Sequence, residues 1–150
     1  MLRDSIKAAQ VAAMKSGDKP RVAAVRLMLA KLKDRDIELR TAANVPDDDT
    51  IVIEVLQKMA KQRRESIDLF RQGDREDRAE AEEAELAVIE EFLPAQMSEE
   101  DTKAAIEAIK AEVGASSMKD MGKVMAELKA RHGSQLDMSK ASSLVKAALG

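Results

Sequence analysis

His132 is the only histidine in the chain and stands just before Gly133. No Ser and Asp lie at a spacing that would make a recognisable triad with it. At that position the imidazole meets the negative end of a helix dipole, which is the ordinary reason for a histidine there. The run Glu80-Ala81-Glu82-Glu83-Ala84-Glu85 is rich in carboxylates. A di-metal bundle site would add a Glu-x-x-His spacing on facing helices, and that spacing is missing. The expectation is a solvated acidic face, with no metal and no cofactor. Lys58, Lys61, Arg63 and Arg64 form a basic cluster. Lys61 with Glu65 and Arg64 with Asp68 are placed for pairing along one helix. No glycine-rich phosphate loop is present, so nucleotide hydrolysis has no support. With no cysteine, thiolate catalysis and Cys-ligated metal sites are excluded.

Gly122 asks for more explanation. A glycine inside a helix costs about 0.5–1 kcal/mol relative to alanine, so something should approach its backbone closely. Lys119 and Lys123 lie one turn apart beside it. A neighbouring helix is one candidate, favoured by the bulk of Met121, Val124 and Met125. A phosphate backbone is the other, since it needs charge and access more than side-chain bulk.

The elements that must hold these residues are helical. Apolar residues make up 45% of the 150, and only Phe70 and Phe92 are aromatic. Aliphatic side chains and nine methionines must fill the core, which suits closely packed helices. No alternating β-branched or aromatic run suggests a strand. Leu2, Ile6, Ala9 and Ala13 place a first helix from about Leu2 to Lys15. Asp18 can cap a second, with Pro20 in its first turn, carrying Val22, Val25, Met28, Leu29 and Leu32. Asn44-Val45-Pro46 breaks the chain. A third helix begins near Thr50, with Val52, Val55, Leu56, Met59, Ile67 and Phe70 inward. A fourth runs to Phe92. Pro94 marks a boundary, followed by a capping pattern at Ser98-Glu99-Glu100-Asp101. A fifth helix reaches Val113, with Ile106 and Ile109 inward. Ser117 and Asp120 offer the same capping spacing for a sixth helix, which ends near His132. A seventh opens at Asp137 or Ser139. Gly17, Gly73, Gly114 and Gly133 are expected as left-handed caps. The fold class is all-α: a four-helix N-terminal region, residues 1–95, then a compact three-helix unit, residues 96–150, across a hinge at Pro94-Ala95-Gln96.

Charge is unevenly spread. Residues 1–46 balance to +5, residues 47–95 to −8 and residues 96–150 to zero, within a net −3. Nucleic-acid binding therefore requires a local patch. The N-terminus has no apolar signal core, and no stretch approaches the roughly 18–20 apolar residues that cross a bilayer. The expected location is cytoplasmic, with no membrane partner.

Three segments carry a resemblance. Lys61-Gln62-Arg63-Arg64-Glu65-Ser66-Ile67 comes first, then Glu91-Phe92-Leu93-Pro94-Ala95-Gln96-Met97-Ser98-Glu99-Glu100. The third is Glu112-Val113-Gly114-Ala115-Ser116-Ser117 followed by Asp120-Met121-Gly122-Lys123-Val124-Met125. In this order they resemble the YqeY family over essentially the whole chain. One departure is Phe92, where tyrosine is expected before Leu-Pro. The family's C-terminal unit resembles the tail domain found in the glutamine-dependent aspartyl/glutamyl-tRNA amidotransferase, which helps hold tRNA outside the active site. The resemblance implies that Gly122, Lys123, Val124 and Met125, with Lys140 and Ala141, belong to the equivalent surface or its support. It also implies the label of carbon–nitrogen ligation with glutamine as amide donor. The kinase and glutaminase machinery of the larger enzyme has no counterpart among these residues.

The leading expectation is thus a non-catalytic tRNA-binding protein, or an accessory to a tRNA amidation or aminoacylation enzyme. Lys119, Lys123, Arg131 and Lys140 would contact phosphate, Gly122 would admit it, and Lys58, Lys61, Arg63 and Arg64 would form a secondary cluster. Without Tyr or Trp, and with both Phe expected in the core, recognition would read shape and backbone. The alternatives are a protein–protein adaptor using the apolar first helix or the hinge groove, and an amidation component active only within a complex.

Overall fold

A computed structural model describes residues 1–150 as seven α-helices without a strand. They are α1 (Leu2–Ser16), α2 (Lys19–Leu39), α3 (Asp48–Gln72), α4 (Glu76–Glu90), α5 (Glu99–Val113), α6 (Met121–His132) and α7 (Met138–Leu149). Short 3-10 turns at Met118–Asp120 and Gly133–Gln135 precede α6 and α7. The chain divides into two compact units, Met1–Leu93 and Pro94–Gly150.

In the first unit, the apolar stripe of α1 buries Ile6 and Ala13 and half-buries Leu2 and Ala9. The helix stops where Gly17 turns left-handed at φ 72°, with Asp18 N donating to Ala13 O at 3.0 Å. Asp18 then opens α2, its carboxylate accepting from Arg21 N at 3.2 Å. Asp47 does the same for α3, accepting from Thr50 N at 3.1 Å. Val25, Met28 and Leu32 of α2 meet Val52, Leu56, Met59 and Ala60 of α3, Ile6 of α1, Ile89 of α4, and Leu93 in the turn after it. Each larger side chain buried this way contributes about 1.5–3 kcal/mol. Polar contacts fix the start of α1 on its neighbours. Leu2 N donates to Asp49 Oδ1 at 3.0 Å. The Arg3 guanidinium bridges Asp36 at 2.8 Å and Asp48 at 2.9 Å. Its hydrogen bonds hold the Asp48 carboxyl below the ordinary carboxylate range.

In the second unit, Ser98 caps α5 by accepting from Asp101 N at 3.1 Å. Buried Thr102 satisfies its hydroxyl on Ser98 O at 2.7 Å. Gly114, left-handed at φ 68°, ends the helix. Asp137 caps α7 by accepting from Ser139 N at 2.9 Å and from Lys140 N at 3.4 Å. At the far end of α7, Lys110 Nζ donates to Ala148 O at 2.9 Å, a cation on the negative end of a helix dipole. Ile106, Ile109, Val124, Leu128, Leu136, Ala141, Val145 and Leu149 form this unit's core.

Several local expectations are corrected. Gly73 and Gly133 are not left-handed. Asp74, at φ 57°, takes the left-handed position after α3, and Gly133 continues right-handed into a 3-10 turn. Neither Ser117 nor Asp120 caps a helix with its side chain. The Asp120 carboxylate instead reaches back to accept from Ser116 N at 3.0 Å, closing the loop ahead of α6. Phe70 and Phe92 are half-buried rather than enclosed.

Candidate nucleic-acid interface

The 3-10 turn over Met118–Asp120 puts the start of α6 at Met121, so Gly122 is its second residue rather than a mid-helix one. A β-carbon added there would have nothing within 4 Å. The helix-packing explanation of Gly122 is therefore wrong: Met121, Val124 and Met125 turn toward the core on the other side of the helix. At 3.6 residues per turn, about 100° each, Gly122, Ala126 and Ala130 line up on the outer face of α6. All three are exposed. Lys123 stands on one flank of this smooth stripe and Lys129 on the other, both exposed and without an ion pair. Lys119, also exposed and unpaired, leads into it from the 3-10 turn.

Arg131 behaves differently. Its guanidinium is held by Glu112 of α5 and by Glu127, the latter at 3.1 Å. The Glu112 hydrogen bond raises the guanidinium's already high pKa, and Arg131 in turn holds the Glu112 carboxyl below its ordinary range. Two carboxylates occupy the donor fork that a phosphate would need. Lys140 is exposed and unpaired through its ammonium, in the first turn of α7. The structure thus brings Lys119, Gly122 and Lys123 into one stretch. Arg131 sits eight residues beyond Lys123, roughly 12 Å along the helix axis.

The neutral charge of the second unit hides a segregation. Residues 94–113 carry five acidic and two basic side chains, and residues 114–150 carry six basic and three acidic ones. The three acids of the later segment are engaged: Asp120 on Ser116 N, Glu127 on Arg131, and Asp137 on the first turn of α7. A count of charge by segment shows the basic excess of residues 114–150 that the balance over the whole unit conceals, and Lys129 is one of its six cations.

The secondary basic cluster splits as well. Arg63 reaches α4, pairing with Glu82 at 2.7 Å and Glu85 at 3.0 Å, and Arg64 pairs with Glu90 at 3.1 Å. Lys58 and Lys61 remain exposed. The acidic run of α4 is accordingly a charge partner of α3, not simply a solvated face, and its carboxylates are not gathered into a group that could hold a metal ion. His132 is the half-buried last residue of α6.

The family model described as Yqey-like protein matches residues 3–149. The chain belongs to the YqeY family. No curated protein matches it. Within this YqeY chain, the segment Glu112–Met125 runs from the end of α5 through the 3-10 turn into the exposed start of α6. It therefore includes both Glu112, which pins Arg131, and Gly122 with Lys123. No helix is long and apolar enough to cross a membrane. An open groove of about 390 Å³ in the first unit is lined by Asp36, Leu39, Arg40, Val45, Pro46, Asp48 and Ile51. Its two carboxylates are those already bound by Arg3.

Proposed function

We propose that this protein is a non-catalytic tRNA-binding or tRNA-enzyme accessory protein that meets the phosphate backbone with the outer face of α6. The observation that carries the reading is the exposed Gly122–Ala126–Ala130 stripe flanked by unpaired Lys119, Lys123 and Lys129. Small residues let a backbone come close, and lysines act on phosphate as point charges without reading sequence. Lys140 extends the cationic character to α7, while Arg131 serves as a structural tie to α5. The second unit contains no Phe, Tyr or Trp, so in this reading contacts go mainly to sugar and phosphate rather than to stacked bases. The link to glutamine-dependent tRNA amidation rests on the resemblance of the C-terminal unit to the amidotransferase tail. In this reading the chain supplies RNA contact or docking, and the chemistry belongs to a partner enzyme.

Recovering the full-length protein from its own cell extract tests this. Transfer RNA is expected to co-purify, and to be lost from a Lys123→Glu/Lys129→Glu variant of normal stability. Absence of RNA, or equal recovery by the charge-reversed protein, would remove the proposal. A second reading, a protein–protein adaptor, draws on Val11 and Met14, which are 49% and 55% exposed on α1. It gains if Val11→Lys abolishes recovery of a protein partner while RNA recovery stays at background.

A further inference from the structure

The main core of the first unit ends at Ala60 on α3 and resumes at Leu86 on α4. Between those points α3 and α4 run on as a helical hairpin, turning at Gly73 and at left-handed Asp74. In that outer part, residues 61–85, the only buried apolar side chains are Ile67 and Ala79. Phe70 is half-buried, and Leu69 is 67% exposed. Two helices joined by so little apolar surface need another source of cohesion, since most helical stability in proteins comes from packing of an apolar face.

Ion pairs bridge the two helices along this stretch. Arg63, with a side chain 21% exposed, forks to Glu82 at 2.7 Å and Glu85 at 3.0 Å. Arg71, nearer the turn, holds Glu83 and also Glu76, the latter at 3.1 Å. Arg64 pairs with Glu90 at 3.1 Å where the hairpin meets the core. Glu85 Oε2 is buried outside hydrogen-bond geometry, and Arg63 is its charge partner. Without Arg63 that oxygen would lose its charge partner, although the Glu85 side chain as a whole is 40% exposed and its other oxygen can meet water.

We infer that residues 61–85 form an electrostatically latched arm, which opens on its own while the core of its unit stays folded. While the arm is closed, Arg63 and Arg64 are tied to α4. The secondary basic cluster is then held in reserve, and only Lys58 and Lys61 face solvent. Opening would part a cationic face of α3 from an anionic face of α4 and expose Ile67 and Phe70.

Hydrogen–deuterium exchange on the full chain, at about 0.05 M and about 1 M NaCl, measures this directly, because exposed and partly buried pairs weaken as the Debye length falls to about 3 Å. Amides of residues 66–82 are expected to exchange about tenfold faster at high salt relative to those of residues 52–59. Arg63→Met keeps the side-chain stem and removes the fork. It should reproduce much of the fast exchange at low salt and reduce the further response to salt, the Arg71 and Arg64 pairs retaining the remainder. Arg63→Lys, which keeps one charge, should fall between. Arm exchange indifferent to salt, or arm and core amides accelerating by the same factor, overturns the inference. So does an Arg63→Met protein whose arm remains as protected and as salt-responsive as the original.

Discussion

With nothing near the position a β-carbon would occupy, the glycine at position 122 gives the free protein no packing advantage. Gly122→Ala should raise stability, by up to about 0.5–1 kcal/mol, the usual difference in helix propensity. The gain should fall in the lower part of that range because the residue lies in the first helical turn. If phosphate comes close at this point, the same methyl weakens RNA binding. Gly17→Ala supplies the contrast: its φ of 72° disfavours any side chain, and the substitution should cost roughly 1–2 kcal/mol. Thermal melts of both variants give the two signs. A destabilised Gly122→Ala protein would mean that the surface of α6 is covered. The reactive-looking residues obey the same residue-level logic. His132 ends a helix, and the Glu80–Glu85 run includes the three carboxylates, Glu82, Glu83 and Glu85, that hold Arg63 and Arg71. The purified protein should accordingly turn over neither glutamine nor ATP by itself. Turnover abolished by changing one polar residue of this chain would contradict that.

Among the elements, local chemistry decided what was legible in the sequence. Asp18 and Ser98 cap helices because short polar side chains fit that geometry wherever tertiary packing lies. The apolar stripes of α1, α3 and α5 are readable for the same reason, since their period follows from helix geometry alone. The partners of Arg3 and Arg63 were not readable. Arg3 pairs with Asp36 and Asp48, far along the chain, and Arg63 chooses α4 over its own helix. Such choices depend on which helices become neighbours. The start of α6 was misplaced because Asp120 prefers Ser116 N to a capping role, and the chain then needed a 3-10 turn. Two predictions belong here. Asp137→Ala removes the cap of α7 and should lower stability by about 1 kcal/mol, measured by urea unfolding. Asp48→Asn should cost less, about 0.5 kcal/mol or under at neutral pH, because the pair is half exposed. Arg3 lowers the folded-state pKa of Asp48, so its contribution is complete above the unfolded value near 4. It is lost as pH falls from there through the lowered folded value. Melts of the variant and the parent should therefore converge in acid. A stability gap that widens as pH falls below the unfolded value would contradict the assignment.

For the molecule as a whole, the net charge of −3 argues against a general nucleic-acid coat. What counts is where charge is free. The first unit commits Arg3 to Asp36 and Asp48 and Arg63 to Glu82 and Glu85, while Lys7, Lys31 and Lys33 there are exposed but stand on other helices without the smooth stripe of α6. The second unit leaves Lys119, Lys123 and Lys129 unpaired beside the smooth stripe of Gly122, Ala126 and Ala130, and Lys140 exposed at the start of α7. The candidate site was thus half legible. Lys119, Gly122 and Lys123 could be found from spacing, whereas the engagement of Arg131 and the availability of Lys129 depend on how α6 lies against α5. The central claim, phosphate contact through this lysine face, is tested most directly by the salt dependence of tRNA affinity. Four lysines, Lys119, Lys123, Lys129 and Lys140, predict that log affinity falls against log salt with a slope of roughly −3 to −4. Lys123→Ala or Lys129→Ala should each flatten it by nearly one unit, and Arg131→Ala should change it far less. An affinity indifferent to salt, or a slope that depends on Arg131 and not on the lysines, would contradict the account.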